Sequence, residues 1–156
     1  MILIRTLIEV YFDGLCQPVN PGGIACYAFV VKSQGNTIHS SYGIAAEPFS
    51  KDATNNVAEY TALIKALEWL VAKNLYSSAI KIIGDSKLVV SQLNGLYKVK
   101  SKRILPLYRK ARDLKESFKA IKICLVPREE NKEADGLTNR AYREALEDNP
   151  SYRKRI

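Results

Sequence analysis

The chain has 156 residues, 47% of them hydrophobic, and carries 24 Lys and Arg against 16 Asp and Glu, for a formal charge of +8. That length suits one domain around a single buried core, and no apolar run approaches the ~20 residues that a bilayer-spanning helix needs. Cys16, Cys26 and Cys124 show neither CxxC nor Cys/His ligand spacing, which argues against a disulfide framework or a zinc site and for a reducing, cytoplasmic setting. The basic balance makes a polyanion, not a membrane, the expected partner.

The opening MILIRTLIEVYF is broken by Arg5 and Glu9 at strand-like alternation, so it reads as a first strand over residues 4–13 and not as a signal peptide. Residues 24–32 and 36–46 follow as strands rich in Ile, Val, Tyr and Phe, separated by NPGG and SQGN turn signals. The three should pair as an antiparallel meander. TNNVAEYTALIKALEWLVAKN then sets Val57, Tyr60, Ile64, Leu67 and Val71 at three- and four-residue steps, the period of one helix face against a core. Thr54 or Asn55 can cap its first turn, and Glu59, near the same end, suits the helix dipole.

AIKIIGD, residues 79–85, is a short strand leading into the helical pattern SKLVVSQLNG, an order that implies a parallel crossover. VKSKRILPLYRKARDLKESF reads as another helix with Pro106 near its first turn, AIKICLVP returns to strand, and NKEADGLTNRAYREAL closes as a helix capped by Asn131. The order βββαβααβα predicts an α/β fold, a mixed five-stranded sheet with helices on both faces. Between Lys98 and Lys122 there are ten basic residues against Asp113 and Glu116, either a solvated helix face or a surface for phosphates. The terminal Arg153-Lys154-Arg155 is expected to fray.

Four carboxylates sit in places that core packing does not explain. Asp13 ends the first strand in VYFDG, Glu59 opens the main helix, Asp85 ends the fourth strand in IIGDS, and Asp135 lies early in the last helix in NKEADGL. Separately they read as an Asp-Gly turn and as helix caps. If the first and fourth strands are adjacent and parallel, Asp13 and Asp85 converge at one end of the sheet, and the two helix starts can bring Glu59 and Asp135 over it. Four carboxylates so close repel unless cations neutralise them, and hard oxygen ligands suit Mg²⁺ or Mn²⁺. Two such ions about 3.5–4 Å apart can stabilise the attacking and leaving oxygens of a phosphoryl displacement.

In element order and in four local motifs, FDG with a following NPGG, TNN-x-x-E, GDS and N-x-x-x-D, the chain resembles the type 1 ribonuclease H family over nearly its whole length. The resemblance implies a catalytic domain over residues 1–146 followed by a basic tail over 147–156. The implied activity is hydrolysis of the RNA strand of RNA/DNA hybrids, with two Mg²⁺ ions, or Mn²⁺ in their place, leaving 5′-phosphate and 3′-hydroxyl ends. Asp13 would bridge both ions, Glu59 and Asp85 would hold the ion on the leaving-group side, and Asp135 would help hold the ion that carries the nucleophilic water. By the same resemblance Asn55 and Asn56 would read the minor groove, Thr54 would grip a DNA phosphate, and Cys16 and Asn20 would add groove contacts. An amide both donates to and accepts from a 2′-hydroxyl, the group that distinguishes RNA from DNA. A monomer is expected.

Two departures from the family pattern stand out. The loop before Asp135 reads VPREEN and lacks the histidine that many members carry, and the only histidine, His39, falls in the third strand. Arg128 stands roughly in the missing residue's place, where its permanent charge could attract the scissile phosphate or ease product release, or be only a loop charge. The family's basic protrusion is absent, which leaves substrate grip to Lys98, Lys100, Lys102 and Arg103, with Tyr97 as a stacking surface. An integrase or junction-resolvase core, a noncatalytic hybrid-binding module and a flavodoxin-like nucleotide domain are the rival readings. The TNN run, the full set of acids and the lack of a Gly-rich phosphate loop argue against each in turn.

Overall fold

The structure, a computed structural model, describes residues 6–156; residues 4 and 5 of the expected first strand lie outside them. Strand β1 spans Leu7–Gln17, β2 Ile24–Ser33 and β3 Asn36–Ile44; helix α1 spans Asn55–Ala72, followed by β4 (Ala79–Gly84), α2 (Lys87–Leu93), α3 (Leu105–Glu116), β5 (Ala120–Leu125) and α4 (Lys132–Asp148). The sheet order is β3-β2-β1-β4-β5, antiparallel between β3, β2 and β1 and parallel between β1, β4 and β5. This is the expected mixed five-stranded α/β fold.

Period-two alternation on β1 explains why helices cover both faces. Val10 and Phe12 share a buried cluster with Phe29, Val31 and the α1 residues Leu63 and Leu67. Leu15 and Cys26 belong instead to a cluster completed by Ala141 and Ala145 of α4. Because Asp13 lies one residue from Phe12 and two from Leu15, its side chain belongs to the α4 face. Tyr60, fully buried on α1, donates from its hydroxyl to Gln92 Oε1 at 2.5 Å and ties α1 to α2.

Three local expectations change. β1 does not end at Asp13: Asp13 pairs with Ala28 and Gly14 with Tyr27, and the strand continues to Gln17. The Asp-Gly pair is therefore mid-strand, and the glycine serves a close approach, since a Cβ at position 14 would stand 2.6 Å from the Ala58 carbonyl carbon. α3 begins only at Leu105, with Pro106 in its first turn, where a missing N–H costs no helical hydrogen bond. Lys98, Lys100, Lys102 and Arg103 accordingly precede the helix and do not form a helix face. The C-terminus is docked: Pro150–Arg155 forms 3₁₀ turns, Tyr152 meets Phe49 edge-on at 5.4 Å, and the Arg155 guanidinium lies 4.1 Å from the Phe49 ring centroid. Aromatic and cation–π contacts of this kind offset the entropy that would otherwise fray a charged terminus.

Candidate active site

The floor of the site lies where the pairing of β1 with β4 ends. Parallel pairing of β1 with β4 places Asp13 and Asp85, the latter just past Gly84, at the same end of the sheet. α1 crosses β1 where Gly14 has no side chain, and this approach sets Glu59 beside Asp13. Thr54 fixes the start of α1, its hydroxyl accepting from Val57 N at 3.0 Å. The Asn20 side-chain oxygen accepts from Asn55 N at 3.0 Å, which joins the loop after β1 to the same helix end. Across α2, Ser86 Oγ accepts from Val89 N at 3.2 Å and orients the turn that carries Asp85.

Asp13, Glu59 and Asp85 each offer a carboxylate oxygen within 4.8 Å of the others. Asp13 is 5% exposed and Glu59 4%. Burial, followed by the charge of Asp85, raises the Asp13 carboxyl to about 7. Burial and then the charges of Asp13 and Asp85 hold Glu59 well above the usual carboxylate range. Asp85 is raised too, chiefly by burial, against a hydrogen bond from Asn131 and the charge of Arg128. Asp135 completes the group from α4, close enough to Asp13 for its charge and hydrogen bonding to add to that elevation. Arg128, 80% exposed in a 3₁₀ turn before α4, pairs with Asp135 at 3.7 Å.

These acids open into a cleft of about 350 Å³ also lined by Cys16, Gln17, Asn55, Ser86, Arg128 and Asn139. Glu59 Oε2 is buried there without a hydrogen-bond partner among the described residues. A buried acceptor lacking a donor, within a cluster of mutually repelling carboxylates, is what a hard divalent cation would satisfy, so the donor set fits Mg²⁺ or Mn²⁺.

The other sequence candidates divide. Thr54 is the cap of α1 and Asn55 reaches the cleft, while Asn56 is in the same first turn but does not line it. Cys16 Sγ donates to Ala53 O at 3.1 Å, holding the β1 end against the segment before α1. Tyr97, Lys98 and Lys100 border a separate depression with Leu88 and Leu96. Lys102 and Arg103 border another, where Arg103 Nε pairs with Asp52 at 2.9 Å. His39 stacks on Trp69 at 4.7 Å, away from the acids.

Asn131 departs from its expected capping role. It makes no side-chain cap bond to α4 and instead donates from Nδ2 to Phe12 O at 2.8 Å. Asn139, whose Nδ2 donates to Asp135 O at 2.9 Å, was not singled out from sequence. Its only signal was its place one helical turn after Asp135.

The sheet order and the acidic cleft define a ribonuclease H-like domain. Residues 12–141 match the reverse transcriptase-like family. The chain is 37% identical over 140 residues to the ribonuclease HI of Halobacterium salinarum, covering 88% of this chain and 65% of that protein. It is 45% identical over 89 residues to the bifunctional protein Rv2228c of Mycobacterium tuberculosis, covering 57% of this chain but only 24% of that relative's length. The crystal structure of LC11-RNase H1 in complex with an RNA/DNA hybrid superposes with a TM-score of 0.79 at 36% identity, over 89% of this chain and 99% of that one. The chain belongs to the type 1 ribonuclease H family.

Proposed function

We propose that this protein is an endoribonuclease that hydrolyses the RNA strand of RNA/DNA hybrids with two divalent ions, leaving 5′-phosphate and 3′-hydroxyl ends. The observation that carries the reading is the convergence of Asp13, Glu59 and Asp85 within 4.8 Å, two of them almost fully buried, at the floor of a basic protein's cleft. The hybrid bound to LC11-RNase H1 supports the substrate class.

Asp13 would contact both ions, Glu59 and Asp85 the ion on the leaving-group side, and Asp135 the ion on the water side. When bound, the ions would lower the pKa of the attacking water and stabilise the departing oxygen. Asn55, at the cleft wall, would read the 2′-hydroxyl, and Asn56, Asn20 and Cys16 would line the minor groove beside it. Thr54 and the basic residues Lys98, Lys100, Lys102 and Arg103 would hold phosphates. Arg128 stays protonated and so cannot act as an ordinary general base; its charge would act on the scissile phosphate or on release of the product. The protein would work as a monomer in the cytoplasm; no helix among the described residues is long and apolar enough to cross a membrane.

End-labelled RNA/DNA, RNA/RNA and DNA/DNA duplexes, each with Mg²⁺, Mn²⁺ or EDTA, test the reading. RNA in the hybrid should be cut with either metal and not with EDTA. Cleavage of a DNA junction in preference to the hybrid would move the protein to the resolvase class. Arg128→Ala should slow multiple-turnover cleavage without altering the salt dependence of hybrid binding, and an unchanged rate would leave Arg128 as a loop charge.

A further inference from the structure

Asn131 is 1% exposed and stands where the start of α4 meets β1. Its Nδ2 donates to the carbonyl of Phe12, the residue before Asp13, at 2.8 Å. Its own carbonyl accepts from Asp135 N at 3.1 Å, and its N–H donates to Arg128 O at 3.0 Å. Asp85 lies close enough to the same amide for it to favour that carboxylate's charged form. The orientation of the amide is not arbitrary, because exchanging its oxygen and nitrogen would set acceptor against acceptor at Phe12. In the orientation that remains, Oδ1 is buried without a partner among the described residues. An apolar side chain of similar volume would fill the space but leave the Phe12 carbonyl without its donor.

We infer that Asn131 is a positioning residue of the acidic centre: one buried residue that ties β1 to the first turn of α4, beside Asp85, and so sets Asp13 and Asp135 at the separation that binds divalent ions. It touches no substrate and acts through Asp13 and Asp135. The inference rests on the metal-centre reading above. Groups that orient the ligands of a metal site characteristically change metal affinity or activity by about 10–100-fold when removed.

The test is Mn²⁺ binding by calorimetry without nucleic acid, on wild type, Asn131→Ala and Asp13→Asn, together with hybrid affinity in EDTA and kcat and KM in Mg²⁺. Asn131→Ala should bind Mn²⁺ ~10–100-fold more weakly and lose kcat by a similar factor, with hybrid affinity in EDTA and KM within about two-fold of wild type. A merely structural residue would lower the melting temperature yet leave Mn²⁺ affinity and kcat unchanged at temperatures where the variant is folded, and that result overturns the inference. Wild-type Mn²⁺ binding that Asp13→Asn does not weaken overturns the metal-centre reading instead. Should Asn131→Ala fail to fold, the side-chain amide resonances of Asn131 in otherwise wild-type protein decide the matter. One of its two protons should shift in Asp85→Asn and on adding Mg²⁺, and a signal that neither change moves refutes the coupling.

Discussion

Replacing Asp13 with Asn should make the metal-free protein more stable while abolishing its activity. The Asp13 carboxyl is raised from 3.8 to about 7 by burial and by the charges of Asp85 and Asp135. A carboxyl with a higher pKa folded than unfolded holds its proton preferentially in the folded state. Its contribution to stability is therefore fully present below about pH 4 and is lost as pH rises through about 7. At 1.36 kcal/mol per pKa unit, a rise of about 3 units corresponds to a loss on the order of 4 kcal/mol at pH 8, shared with the coupled Glu59. Asparagine keeps the shape and removes the charge. Urea unfolding in EDTA should show Asp13→Asn more stable than wild type by up to about 4 kcal/mol at pH 8, with the difference shrinking towards pH 4. Saturating Mg²⁺ should narrow the gap by stabilising wild type alone. A gap that is absent at pH 8, or larger at pH 4 than at pH 8, would refute the electrostatic account of the site.

Gly14→Ala should destabilise by at least about 1–3 kcal/mol and depress kcat, because the new methyl meets the α1 backbone and not a flexible side chain; urea unfolding and hybrid cleavage measure both. Asn55→Ala with Asn56→Ala should reduce discrimination of hybrid from DNA duplex in competition binding while leaving Mn²⁺ binding intact, and unchanged discrimination would return both residues to a helix-start role. Neutralising Lys98, Lys100, Lys102 and Arg103 should flatten the slope of log affinity against log salt by about one unit per lost phosphate contact, with single-turnover cleavage of bound hybrid little changed. An unaltered slope would make the run a solvated surface.

Hydrophobic spacing alone made the strand and helix order legible, because a side chain's face follows from local periods of 2 and 3.6 that need no distant partner. The four carboxylates were legible for a related reason: acids at strand ends and helix starts, where packing gives them no purpose, mark a site even before the elements are assembled. What depended on residues far apart in the chain was hidden. Asp13-Gly14 has the form of a turn, and only the approach of α1 shows it to be mid-strand, with the glycine admitting Glu59. The tail charges suggested fraying until Phe49, about a hundred residues earlier, supplied a surface for Tyr152 and Arg155. Asn131 read as a cap because a local rule favours Asn there, yet its amide bonds Phe12 across 119 positions of sequence. Local propensity carries no information about which carbonyl will be buried and in need of a donor. That is decided only when β1 and the start of α4 close around it and exclude water from the group.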